Sequence, residues 1–118
     1  MNFIIQKESN FSAITVAKDR LDSSISPELK GELLQMSNQG VSNIILNLKK
    51  CEYCDSSGLS AILVGNRLCE DTEGTFILCN LSPGVEKMIK MAMLDSILLI
   101  APGLPEAERL LIKKSEIQ

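Results

Sequence analysis

Residues 44–63 read Ile44-Ile45-Leu46-Asn47-Leu48-Lys49-Lys50-Cys51-Glu52-Tyr53-Cys54-Asp55-Ser56-Ser57-Gly58-Leu59-Ser60-Ala61-Ile62-Leu63. The segment Val41 to Leu48 is apolar with almost no polar break, which predicts a central strand covered on both faces. Lys49 to Cys54 is polar and turn-like and reads as a loop. From Leu59 to Leu68 the chain is a nearly uninterrupted apolar helix. Asp55-Ser56-Ser57-Gly58 therefore sits where a loop becomes a helix. Asp and Ser suit that place because their side-chain oxygens accept from the free N–H groups of the first turn. Those same groups, with the helix dipole, favour an anion there. A serine at such a point can be a cap, a nucleophile or a phosphate acceptor, and the cap is the commonest use.

Working outward, the helix is expected from Ser56 to Asp71. Leu59, Ile62, Leu63 and Cys69 form one apolar side, and Ala61, Val64 and Leu68 form a second. A helix apolar on two sides is usually sandwiched between layers or offers one side to a partner. Ser56, Ser60 and Arg67 share the polar arc between the stripes. Upstream, Phe3–Gln6 and Phe11–Val16 read as a hairpin around Glu8-Ser9-Asn10, with a pattern that leaves the buried face open. Lys18 to Ser24 is a polar connection. Ser26-Pro27-Glu28 announces a helix, with Ser26 as cap and Pro27 at the first position. Asn38-Gln39-Gly40 stops it. Downstream come a buried strand (Thr75–Cys79), a helix opened by Ser82-Pro83-Gly84, a short strand (Ile97–Ile100) and a helix from Pro105-Glu106. The order β-β-α-β-α-β-α-β-α predicts one α/β domain over residues 1–118, a mixed, mostly parallel sheet with helices packed on it. Ser56 would lie at the carboxyl edge of the sheet, where such folds place their sites.

Composition narrows the function. With 118 residues, 45% hydrophobic and 23% charged, the chain can bury a real core. A net charge of −3 and 3% aromatic content with no Trp argue against a nucleic-acid groove or a base-stacking platform. No stretch is long enough to cross a bilayer, and Met1-Asn2-Phe3-Ile4-Ile5 lacks the basic start and apolar run of a signal peptide. The expected location is the cytoplasm, with reduced cysteines. Cys51 and Cys54 form a Cys-x-x-Cys pair, but Cys69 and Cys79 make no second close pair and the chain has no His. The expectation is no metal, with Cys51 and Cys54 in a loop and Cys69 and Cys79 as small core residues. No phosphate-cradling glycine motif is present, and without His a serine nucleophile lacks an ordinary base. An enzyme and a bound cofactor are therefore not expected.

Asp55-Ser56-Ser57-Gly58-Leu59 after an Ile-Ile-Leu-Asn-Leu strand resembles the STAS domain family, and more narrowly the bacterial anti-sigma factor antagonists. Arg20-Leu21-Asp22 after the hairpin and Cys79-Asn80-Leu81-Ser82-Pro83 before a helix support the likeness, which spans nearly the whole chain. The family's usual Gly-Glu-Leu-Asp stands here as Asp19-Arg20-Leu21-Asp22, keeping only the leucine and the last acid. Residue chemistry does not choose between Ser56 and Ser57; the resemblance implies phosphorylation of Ser56, supported by Asp55, Ser57, Gly58 and Asp22. It also implies a partner surface of Asp22, Ser23, Ser24, Ser56, Ser60 and Arg67. The implied partner is an anti-sigma factor that is also a serine kinase, opposed by a serine phosphatase. The unmodified protein, a monomer or weak dimer, would sequester the kinase and so free a sigma factor. The alternative is a STAS-like structural subunit of a membrane transport complex or a larger signalling assembly, with weak nucleotide binding.

Overall fold

In the computed structural model, which describes residues 1–117, the central sheet is built on β4 (Ile44–Asn47). Its neighbours are β2 (Ser12–Val16) and β6 (Phe76–Cys79), with β1 (Phe3–Lys7) and β7 (Leu99–Ala101) at the edges. Only β1 runs antiparallel, paired with β2; every other pairing is parallel. Ile45 lies between Ala13 and Ile77, and Leu46 between Ile14 and Leu78. Ile44, Ile45 and Leu46 are all fully buried, as an apolar run without alternation requires. The hairpin's second strand resolves its ambiguous pattern by burying both faces: Ala13 faces one core, and Ile14 and Val16 face the other.

The helices are α1 (Ser26–Asn38), α2 (Ser56–Asp71), α3 (Pro83–Met91) and α4 (Leu104–Ile117). Leu29 and Leu33 of α1, Ile62 of α2, and Val85 and Ile89 of α3 fill the larger core. Ala107 and Leu111 of α4 cover the other face over Ala13, Ile45 and Ile77. The element order matches expectation, with two additions. Arg20–Leu21 form a short strand, β3, and Tyr53–Cys54 form another, β5; the two pair in parallel as a separate ladder. The last strand of the main sheet also begins later than its apolar run suggests. Leu98 and Ile97 are held in a turn by bonds to the Leu94 carbonyl, so pairing starts at Leu99.

Helix starts follow from their caps. Ser82 caps α3 by accepting from Val85 N at 3.2 Å. Gly40, at φ 87°, takes the left-handed stop after α1. The start of α1 differs from expectation. Ile25 occupies the cap position without a side-chain bond, and Ser26 is the first helical residue. Its hydroxyl is diverted to the Asp22 carbonyl at 2.6 Å, because the chain folds back tightly there.

Candidate functional site

The site is assembled by the β3–β5 ladder, which joins the first loop to the start of α2. Arg20 pairs with Tyr53, and Leu21 with Cys54. The Asp19 carbonyl accepts from Glu52 N (2.8 Å) and Tyr53 N (3.1 Å), and the Leu21 carbonyl accepts from Asp55 N (3.2 Å). Leu21 and Cys54 are fully buried and anchor the ladder in the core. Gly58 completes the joint: a Cβ there would lie 2.6 Å from Cys54 Sγ and would collide with the Leu21 carbonyl oxygen. The first turn of α2 is thus pressed against the first loop, and Asp22 comes beside Asp55.

Both acids are held in place. Asp55 caps α2: its Oδ1 accepts from Gly58 N at 3.0 Å and from the Ser57 hydroxyl at 2.6 Å. These bonds, that of Ser57 foremost, hold the Asp55 carboxyl below its ordinary range, while burial and the charge of Asp22 pull weakly the other way. Asp22 accepts from the Ser24 hydroxyl at 2.6 Å and the Ser24 N–H at 3.0 Å, and Arg20 Nε lies 3.6 Å from its other oxygen. Its carboxyl is also lowered, first by the Ser24 hydroxyl. Ser26 and Ser57 bridge the two acids' segments, with their hydroxyl oxygens 3.2 Å apart.

Against this bonded background stands Ser56. It is exposed, and among the described residues nothing hydrogen-bonds its hydroxyl. The two serines of the pair therefore differ: Ser57 is tied to Asp55 and Ser26 and half-buried, whereas Ser56 is free at the helix start. Ser23, Ser24, Ser60 and Arg67 are exposed as well. The structure brings Asp22, Asp55, Ser56, Ser57 and Gly58 together at one turn, while Ser60 and Arg67 follow along the outer face of α2.

Two expectations are corrected here. Leu63 does not belong to the buried stripe; it is 36% exposed, on the same face as Ser56, Ser60 and Arg67. It lies seven residues, almost two turns, after Ser56, and helical geometry puts it there. Of the second stripe only Ala61 is fully buried, with Val64 and Leu68 half-covered. Cys51 lies in the loop as expected, but Cys54 falls in β5; both are fully buried, and Cys51 Sγ donates to the Tyr53 carbonyl at 3.2 Å. Burial pushes the Cys54 thiol up to about 12, so these side chains serve the ladder as small apolar residues. Sequence reasoning also missed Tyr53, the chain's one tyrosine, whose ring carries the Arg20 guanidinium at 4.3 Å. Arg20 itself was visible only as a departure within Asp19-Arg20-Leu21-Asp22. A hollow of about 460 Å³ between β7 and α4, lined by Ile100, Leu110 and Ile112, shares no residue with this turn.

Known proteins share this architecture. Residues 2–107 match the sequence profile of the STAS domain. BtrV of Bordetella bronchiseptica, provisionally named an anti-sigma factor antagonist, is 26% identical over 81 residues, 69% of this chain and 70% of that one. An anti-sigma F factor antagonist of Paenibacillus polymyxa is 34% identical over 56 residues, which is about half (48%) of each protein. Among solved structures, the unphosphorylated anti-sigma factor antagonist SpoIIAA superimposes with a TM-score of 0.76 at 24% identity, covering 98% of this chain and 97% of that one. The phosphorylated form of SpoIIAA, from Bacillus, gives 0.72. At that identity the likeness establishes the fold.

Proposed function

The chain belongs to the STAS domain family, and from that premise we propose that it is a phosphorylation-switched anti-sigma factor antagonist. Unmodified, it binds an anti-sigma factor that is also a serine kinase and so frees a sigma factor. Phosphate on Ser56 ends the binding, and a serine phosphatase restores it. The observation that carries this reading is the free Ser56 hydroxyl between two engaged neighbours, Asp55 and Ser57. A kinase can take that hydroxyl without breaking the helix cap. The names of the relatives in Bordetella and Paenibacillus support the same role.

The physics of release follows from the surroundings. A phosphoserine carries about −1.5 to −2 of charge near neutral pH. The helix N-terminus tolerates it, but Asp22 and Asp55 already place two carboxylates at this turn. A partner lying over Asp22, Ser23, Ser24, Ser56, Ser60 and Arg67 would have to bury that dianion. Burying an unpaired charge at an interface costs several kcal/mol. Leu63 adds an apolar contact in the middle of this face. In this reading the chain makes and breaks no bonds of its own. Asp55, the residue before Ser56, is held as an acceptor and lowered, which suits a cap and not a general base. Its place of work is the cytoplasm, where sigma factors act.

The test is reconstitution with the kinase and site mapping. Ser56→Ala should keep the fold and the kinase complex, yet no longer be released when ATP is added. Ser56→Asp should weaken the complex more than tenfold, though less than phosphate does, because it carries less charge. Phosphate found mainly on Ser57 or Ser60 overturns the assignment. Backbone chemical-shift changes on phosphorylation should be confined to the neighbourhood of Ser56 and Asp22. Changes spread through the strands and α4 would refute a local gate.

A further inference from the structure

Arg20 stands beside the switch with its charge only partly used. Its side chain is 57% exposed, and its one ion pair among the described residues, Nε to Asp22 Oδ2 at 3.6 Å, is longer than a hydrogen bond. The terminal guanidinium nitrogens have no partner among the described residues, and the plane rests on the Tyr53 ring, 4.3 Å from its centre. The Arg20–Tyr53 rung immediately precedes the Leu21–Cys54 rung, and Asp22 and Asp55 follow it. Asp22 does not depend on Arg20 for its position, because its other oxygen is held twice by Ser24. Among the described residues no other cation pairs with Asp22 or Asp55.

We propose that Arg20 is the counter-charge of the modified switch: its guanidinium leaves Asp22 and pairs with the phosphate on Ser56. The inference rests on Ser56 being the modified serine. A guanidinium prefers phosphate to a single carboxylate oxygen, since its planar fork matches two phosphate oxygens at once. The guanidinium lies on Tyr53, three residues before Ser56, on the ladder that leads directly into the Asp55 turn. The gain is electrostatic. Without Arg20, a dianion would face Asp22 and Asp55 uncompensated and would hold its second proton to higher pH. With Arg20, the phosphate keeps both negative charges at neutral pH, so the switch delivers its full charge under working conditions.

The experiment uses protein with phosphoserine genetically encoded at position 56, so no kinase is needed. The second phosphate pKa is read by ³¹P NMR titration in the otherwise wild-type chain, in Arg20→Gln and in Arg20→Lys. It should rise by roughly half a unit in Arg20→Gln, the size expected of one exposed ion pair. Arg20→Lys, which keeps the charge, should stay near the wild-type value. The Tyr53 ring signals should move on phosphorylation in the wild type and stay still in Arg20→Gln. Unmodified Arg20→Gln should retain the Asp22 and Asp55 amide shifts, showing that the turn is intact. A second pKa equal in wild type and Arg20→Gln overturns the proposal. If the kinase modifies a different serine, the switch reading fails, while the titration still answers for Arg20.

Discussion

Gly58→Ala is the sharpest probe of how the first loop and α2 are joined. The new Cβ would sit 2.6 Å from Cys54 Sγ and collide with the Leu21 carbonyl. The first neighbour is a buried side chain and the second is backbone, so neither gives way easily. Overpacking of this kind costs about 1–3 kcal/mol. Alanine returns up to about 1 kcal/mol through its better helix propensity. The net expectation is a loss of roughly 1–2 kcal/mol, or about 4–10 °C in Tm for a domain of this size. Urea unfolding followed by circular dichroism measures it. The second expectation is functional. To relieve the clash α2 must draw back from β3, lengthening the Asp55 N to Leu21 O bond and parting Asp22 from Ser56, so affinity for the proposed kinase partner should fall as well. Gly65→Ala is the control. Its Cβ would meet Phe76 at 2.5 and 2.8 Å, deep in the core and away from the switch. It should lose comparable stability while binding the kinase normally. Should Gly58→Ala prove as stable as wild type, with the Asp22 and Asp55 amide shifts unmoved, the clamp described here does not exist.

Three further outcomes are expected. Asp22 and Asp55 both titrate below the range of an unfolded-chain carboxyl, so the stability they contribute is complete above that range and is lost as pH falls through their folded values; Asp55→Asn should flatten the acid limb of a stability–pH curve, and an unchanged limb would show that the cap contributes nothing. Native Cys51 and Cys54 should resist a thiol reagent at pH 8 until the protein unfolds, and Cys54→Ser, which puts a hydroxyl into the buried ladder, should cost about 1–3 kcal/mol in urea unfolding; prompt labelling of the folded protein would contradict this burial. Leu63→Asp should leave stability within about 0.5 kcal/mol, as an exposed site does, and yet weaken the kinase complex; an unaltered affinity would remove Leu63 from the partner surface.

What could be read from the residues follows from how strongly each signal repeats. β4 and β6 are short but uniformly apolar, and a strand buried on both faces leaves that mark. α3 carries its cap and proline in sequence, and Ser82 does what Ser-Pro predicts. Ser26 carries the same signal but does otherwise, because a local signal cannot show that the Asp22 carbonyl folds back within reach. The β3–β5 ladder was not legible for a related reason. Arg20–Leu21 and Tyr53–Cys54 are too short to show any period, and what makes them strands is their pairing with each other across distant sequence. Once that pairing is unseen, Cys51 and Cys54 read as loop residues and Tyr53 goes unnoticed. Asp22 and the Asp55-Ser56-Ser57-Gly58 turn were each legible; what joins them is Leu21, Cys54 and the missing Cβ of Gly58.

That joint bears on why a switch here can be local. The turn is held by the Ser57 hydroxyl and Gly58 N–H donating to Asp55, by the Ser26 hydroxyl donating to the Asp22 carbonyl, and by Asp55 N–H donating to the Leu21 carbonyl, with the Ser26 and Ser57 oxygens in contact. Ser56 is in none of these bonds. A group added to its hydroxyl therefore breaks no existing bond, and it finds a helix N-terminus that accepts negative charge. The bonded network keeps α2 in place while the charge at its surface changes. Because the hydrogen bonds of the turn survive the modification and only the exposed Arg20–Asp22 pair is exchanged, the domain gains no reason to rearrange. The charge that Arg20 leaves uncompensated then falls on whatever approaches from outside, which is the condition for a gate that works by burial cost and not by refolding.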